Sequence, residues 1–158
     1  MGFDLTGKNP TSEKGQSFHL SGWSWRPLCD YVLRVCDDFL PREGRGYWHT
    51  NDGHFVSARM AKAIAARLRE FIASRCTAEF AELYKDAQAT ATDKPCDLCN
   101  GTGHKSDLPQ SIKEYFHGCP KCHGTGIMKP TIVHYRFSVE NVEAFAEFCE
   151  ASGGFEIW

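Results

Sequence analysis

Apolar positions along the chain fall at helical spacing in three stretches and are irregular elsewhere. Leu28, Tyr31, Val32, Val35 and Cys36 recur at intervals of three and four, which predicts a helix that starts with Pro27 at its first position and runs to about Phe39. Pro41 and the pair Gly44 and Gly46 end it. Asn51-Asp52-Gly53 is a turn signal, and Ser57 then reads as the N-cap of a long helix to about Ala87. Met60, Ile64, Leu68, Phe71 and Ile72 form its stripe, and Phe80, Leu83 and Tyr84 follow past a bend near Thr77. Arg59, Lys62 and Arg69 lie opposite as a solvated face. Ser138 caps a third helix, Val139 to about Ser152, with Glu140 in the favourable first turn and Val142, Phe145, Ala146 and Cys149 on its apolar side. Gly153-Gly154 stop this helix.

Between the helices, residues 1–24 read as an extended arm anchored by Phe3, Phe18, Trp23 and Trp25, and Thr131–Phe137 as a strand. Phe155–Trp158 read as an edge strand. Residues 87–95 read as a linker into a cysteine-rich segment. The predicted architecture is α+β and mainly α: a compact helical domain with a short terminal β element and an inserted metal-binding hairpin module. The expected parts are an arm and helical core over 1–92, the insertion over 93–130, and a strand–helix–strand over 131–158.

Composition adds bounds. The 158 residues are 42% apolar, 24% charged and 13% aromatic, as expected of a chain with a packed core. No apolar run is long enough to span a bilayer. The opening Met-Gly-Phe-Asp-Leu-Thr lacks the apolar core of a secretory signal, although Gly2 to Thr6 match a loose myristoylation pattern. Net charge is −2, yet all eighteen Lys and Arg precede position 138, while five Glu follow it. The first 137 residues therefore carry about +3 and the tail about −5, which points any partner of the tail towards a basic surface.

The cysteines carry the chemistry. Four of the eight fall in two matched units, Cys96-Asp-Leu-Cys99-Asn-Gly-Thr-Gly103 and Cys119-Pro-Lys-Cys122-His-Gly-Thr-Gly126. Two residues between sulfurs let the backbone fold into a knuckle aiming both at one ion, and the following glycines permit positive φ and bring amides near the thiolates. Two knuckles make a four-sulfur tetrahedral site, closed to water and substrate and therefore structural. Zinc is the expected ion, with iron in the same cage or free thiols as alternatives. His104, His117 and His123 flank the knuckles and read as surface residues. Pro109, Ile112, Tyr115 and Phe116 belong to a finger between the knuckles. Cys29, Cys36, Cys76 and Cys149 read as small buried hydrophobes suited to a reducing compartment.

The repeated CxxCxGxG unit resembles the cysteine-rich zinc domain of the DnaJ-type co-chaperones, over residues 96–126 only. Two repeats stand where that family usually has four, so the resemblance implies one zinc ion. No helical segment with His-Pro-Asp accompanies it, so stimulation of a partner chaperone's ATPase is not implied. What it implies is ligation by Cys96, Cys99, Cys119 and Cys122 and a disposition of such hairpins to make protein contacts. Over 93–130, five Lys face four acids and a zinc tetrathiolate adds about −2, unlike a nucleic-acid-binding ribbon.

The flanks carry a second resemblance. Gly2-Phe-Asp-Leu-Thr-Gly-Lys-Asn-Pro10, Trp25-Arg-Pro-Leu28, Phe137-Ser-Val-Glu-Asn-Val142 and Gly153-Gly-Phe-Glu-Ile157 are similar to a family of small uncharacterised proteins of bacteria and their phages. That likeness implies a setting, the cytoplasm of a bacterial host, and an accessory role such as inhibiting a host defence complex. Three function classes follow. A non-enzymatic zinc-stabilised accessory protein with a protein partner comes first, its surface being the acidic stripe Glu140, Glu143, Glu147 and Glu150. Nucleic-acid binding through Lys8, Lys14 and the Arg59, Lys62, Arg69 face is the alternative. A small metal-dependent enzyme using His49, Asp52 and His54 beside Trp48 is the third.

Overall fold

The computed structural model describes residues 2–104, 109–115 and 118–158. The predicted arm is a strand pair. Gly-Phe-Asp-Leu-Thr-Gly alternates apolar and polar side chains with the period of a half-buried strand, and β1 (Gly2–Gly7) buries Phe3 and Leu5 while Asp4 and Thr6 face outward. It pairs antiparallel with β2 (Ser17–Ser21), Asp4 opposite His19. Phe18 packs on the core from β2, whereas Trp23, read as an anchor, is 54% exposed.

The first helix, α1, spans Gly22–Val35, so it starts before Pro27 and ends before Phe39. A proline inside a helix has no N–H for the carbonyl four residues back. Here that carbonyl belongs to Trp23, and the Arg136 amide donates to it instead at 2.8 Å. This external donor allows a helix interior where the sequence pattern predicts a helix start. It also bears on Thr131–Phe137, which is not a strand: Thr131–His134 form a 3-10 turn after Pro130. The Arg136 amide goes to α1 and not to a ladder, and Phe137 enters a ring cluster with Tyr31 at 5.1 Å and Phe80 at 4.8 Å.

β3 (His54–Ser57) follows the Asn-Asp-Gly turn, and the Ser57 hydroxyl accepts from the Met60 amide to cap α2 (Ala58–Ala73). The expected long helix is broken at Ser74–Arg75, where Arg75 takes φ 66°. α3 (Cys76–Ala89) then restarts, with buried Thr77 hydrogen-bonded to the Tyr31 hydroxyl at 2.8 Å. α5 (Val139–Ala151) is capped by the Ser138 hydroxyl as predicted, and β6 (Gly154–Ile157) follows. β6 is not an edge strand. The sheet order is β2-β1-β6-β3, all antiparallel, with β6 between β1 and β3. One sheet face supplies Phe3, Leu5, Val56, Phe155 and Ile157 to the core. α2 and α5 pack on each other, and Ile64 and Leu68 on the one and Val142 and Phe145 on the other are fully buried. The fold is thus mixed α and β, with a larger sheet than the terminal element expected.

The structure separates the chain up to Lys85 together with His134–Trp158 from a second unit, Asp86–Val133. Within the second unit, β4 (Lys94–Pro95) pairs with β5 (Ile127–Met128), and α4 (Gln110–Tyr115) lies between the two cysteine motifs in sequence. Phe116 and His117, named in the finger reading, lie outside the described residues. No helix among the described residues is long and apolar enough to cross a membrane.

Candidate metal centre

Each cysteine motif folds identically, and the two copies interlock. After Cys99, Asn100, Gly101 and Gly103 all take positive φ; after Cys122, His123, Gly124 and Gly126 do the same. The turn brings the Gly103 amide onto the Cys99 sulfur at 3.3 Å and the Gly126 amide onto the Cys122 sulfur at 3.2 Å. Thr102 and Thr125 brace the turns, each hydroxyl donating to the carbonyl of its second cysteine at 2.7 Å. Across the pair, the Cys96 amide donates to the Gly126 carbonyl at 2.8 Å and the Cys119 amide to the Gly103 carbonyl at 2.7 Å. A Cβ on Gly103 would stand 2.3 Å from the Gly124 oxygen, and one on Gly126 would stand 2.2 Å from the Gly101 oxygen. The x-G-x-G half of each motif is therefore needed twice, for its own left-handed turn and for the close approach of its twin.

This interlock places four sulfurs together. Cys96 and Cys119 lie 3.9 Å apart and Cys99 and Cys122 lie 3.7 Å apart, and all four sulfurs fall within 4.8 Å of one another. A disulfide would need about 2.05 Å, whereas thiolates at about 2.3 Å around a tetrahedral ion stand roughly 3.8 Å apart. All four cysteines are buried, and Leu98 and Met128 pack against them. Burial pushes the Cys96 thiol up to about 11. At Cys122 burial acts in the same sense but is outweighed by the Gly126 amide and the three other sulfurs, which bring it down to about 7. Lys121 forms an ion pair with Asp97 at 2.6 Å, joining the two motifs beside the sulfurs. The buried cluster fits a structural metal site held by Cys96, Cys99, Cys119 and Cys122.

Neither His104 nor His123 joins the cluster, and both are exposed. No protein family model, curated protein or solved structure matches this chain. The remaining candidates are read from their own geometry.

His49, Asp52 and His54 do not assemble: among the described residues the cysteine cluster is the sole metal-competent group. His54 stacks on Tyr47 at 5.9 Å, and its partial burial lowers its pKa. His49 faces Asp30 at 3.4 Å and the Cys29 sulfur at 3.9 Å, a cysteine–histidine–aspartate arrangement whose sequence signal was Cys29 next to Asp30. Cys29 is fully buried, and burial raises its pKa far beyond the range of a nucleophilic thiol. Two carboxylates of the acidic stripe are held in surface ion pairs. Glu150 receives the Arg69 guanidinium at 2.9 and 3.0 Å, and Glu147 receives Lys14, while Glu140 and Glu143 remain exposed. Cys36 and Cys149 are buried as expected, but Cys76 is exposed at the start of α3.

Proposed function

We propose that this chain is a non-enzymatic, zinc-stabilised binding protein whose partner is another protein. The observation that carries the reading is the buried four-sulfur cluster, whose donor set fills a tetrahedral ion and leaves no position for water or substrate. All-sulfur tetrahedral ligation suits zinc or iron, and the closed structural site with four cysteine ligands is the usual zinc arrangement. Bound there, zinc would supply folding free energy and no chemistry. The resemblance of the flanks to a family of small proteins of bacteria and their phages supports a setting for the partner, a bacterial host complex such as a defence complex that the protein inhibits.

The reading is tested in two steps. Elemental analysis of the purified chain is expected to find one zinc per molecule; iron or no metal overturns the zinc assignment. Tagged protein drawn from the bacterial host is expected to bring a stoichiometric protein partner that survives nuclease treatment.

A second reading, direct nucleic-acid binding, draws on one cluster. The exposed Trp23 indole lies 5.8 Å from His134 and 5.4 Å from Tyr135, and Arg136 shares a cavity of about 420 Å³ with Trp23, His134, Ser21 and Ser24. Such a stack with a cation suits an unpaired base. Nuclease-sensitive recovery, with heparin retention that falls steeply with salt, would favour it over a protein partner.

A further inference from the structure

β3 ends the sheet. Its inner side pairs with β6, and among the described residues no backbone hydrogen bond reaches its outer side. Exposed edges are ordinarily blunted by Lys, Pro or a covering element, yet β3 reads His-Phe-Val-Ser and its Phe55 is 58% exposed. A cavity of about 220 Å³ runs along this edge, lined by all four β3 residues and given an apolar floor by Leu33, Leu40, Trp48 and Met60. A second hollow of about 340 Å³, formed by Phe39, Ala63 and again Met60 and Ser57, continues it along the first turns of α2.

The surroundings carry a sign. Arg59 lines the second hollow and Lys62 is exposed on the same helix, and neither has an ion-pair partner among the described residues. Glu43 is the sole acid lining either hollow, and Arg45, which also lines the first, is held by Asp37. A strand-length groove with an open ladder on one side, apolar pockets beneath and unmatched cations at one end has the features of strand addition. There the backbone supplies affinity and alternate side chains supply specificity.

We propose that the β3 edge and its groove dock an extended acidic segment of the partner protein, which joins the sheet as a further antiparallel or parallel strand. Apolar side chains on one face of that segment enter the groove over Met60, and carboxylates on it meet Arg59 and Lys62. This rests on the protein-partner reading and adds to it the place and the chemistry of the contact.

The test uses the full zinc-loaded chain and a displayed library of random peptides of about a dozen residues. Enriched peptides are expected to alternate apolar and acidic residues. Their affinity should drop about tenfold or more for Met60→Arg, which fills the groove, and several-fold for Arg59→Glu, a surface change that leaves packing alone. Methylating alternate backbone amides of an enriched peptide should weaken it comparably, because the ladder is lost. If Met60→Arg does not fold, Arg59→Glu and the methylated peptides decide. Enriched peptides without acidic character, or indifferent to these changes, overturn the edge site while leaving the partner reading in place. Failure to enrich any peptide overturns the edge site, and only the absence of a co-purified protein would remove the partner reading as well.

Discussion

The two units of this molecule are held together in opposite ways. In the unit of helices and sheet, Phe145 is fully buried with the rings of Phe18, Trp25, Phe148 and Phe155 at 5.3 to 6.2 Å, and many such contacts share the burden. In the 86–133 unit the buried cluster among the described residues consists of four cysteines, with Leu98 and Met128 packed partly against it. A segment that small buries little apolar surface against its chain entropy, and an ion bound by the four sulfurs would supply the difference. One region is redundant, and the other would depend on a single bond set.

The sharpest way to break the comparison is to remove that bond set. Cys99→Ser, or stripping the ion with a chelator, is expected to abolish most of a ligation free energy of about 10–16 kcal/mol and to unfold the 86–133 unit. The other unit has a built-in reporter: the Trp25 indole N–H is buried and donates to the Trp48 carbonyl at 2.7 Å. Amide NMR spectra should lose the dispersion of the Gly103 and Gly126 amides while the Trp25 indole signal stays. Spectra of the cysteine unit unchanged by chelation would end the claim that sulfur ligation holds it.

A cut in the other unit should be smaller and graded. Phe145→Ala removes a fully buried ring and is expected to cost about 3–5 kcal/mol, read as an earlier urea transition and faster exchange of the Trp25 indole proton. Zinc content should not change. Loss of the metal together with the core would show that the two regions do not stand apart energetically.

How far each region could be read in advance follows the same division. The four-cysteine cluster was legible residue by residue, because each motif is local: two knuckles and their glycines determine where every sulfur points. α2 and α5 were legible at their starts because Ser57 and Ser138 cap them through their own third-residue amides. The sheet was harder to see. β1 alternates cleanly, but its partners are β2 and the distant β6, and no short-range signal declares a pairing across most of the chain. Pro27 marked a helix start by the usual rule and lies inside α1 because a remote amide, from Arg136, replaces the donor it lacks. Thr131–Phe137 has the composition of a strand and, among the described residues, no strand pairs with it. Helical spacing shows the Glu stripe as one acidic face but cannot foresee Arg69 arriving from α2 or Lys14 from the N-terminal segment.

That last pair gives the smallest expected effect and a pH dependence that separates the two regions again. The Arg69 guanidinium, by hydrogen bonding and charge, holds the Glu150 carboxyl below its ordinary range against the opposing effect of burial. A carboxyl whose folded pKa is depressed contributes stability above the unfolded value, about 4.3, and loses it as pH falls through the folded one. Both side chains are two-fifths or more exposed, so solvent screens the pair and its contribution at neutral pH is under about 1 kcal/mol. Glu150→Gln should therefore lower the urea midpoint slightly at neutral pH, less in high salt, and not at all once Glu150 is protonated. The Trp25 indole signal must follow this titration, because acid also protonates the cysteine ligands and releases any ion they hold. The same fall in pH thus removes a fraction of a kilocalorie at this pair and weakens the exposed Asp37 and Asp38 pairs with Arg45 and Arg67, whereas in the other unit it would release the whole of the ligation. Equal sensitivity of both to acid would mean that the cysteine cluster is not what folds its unit.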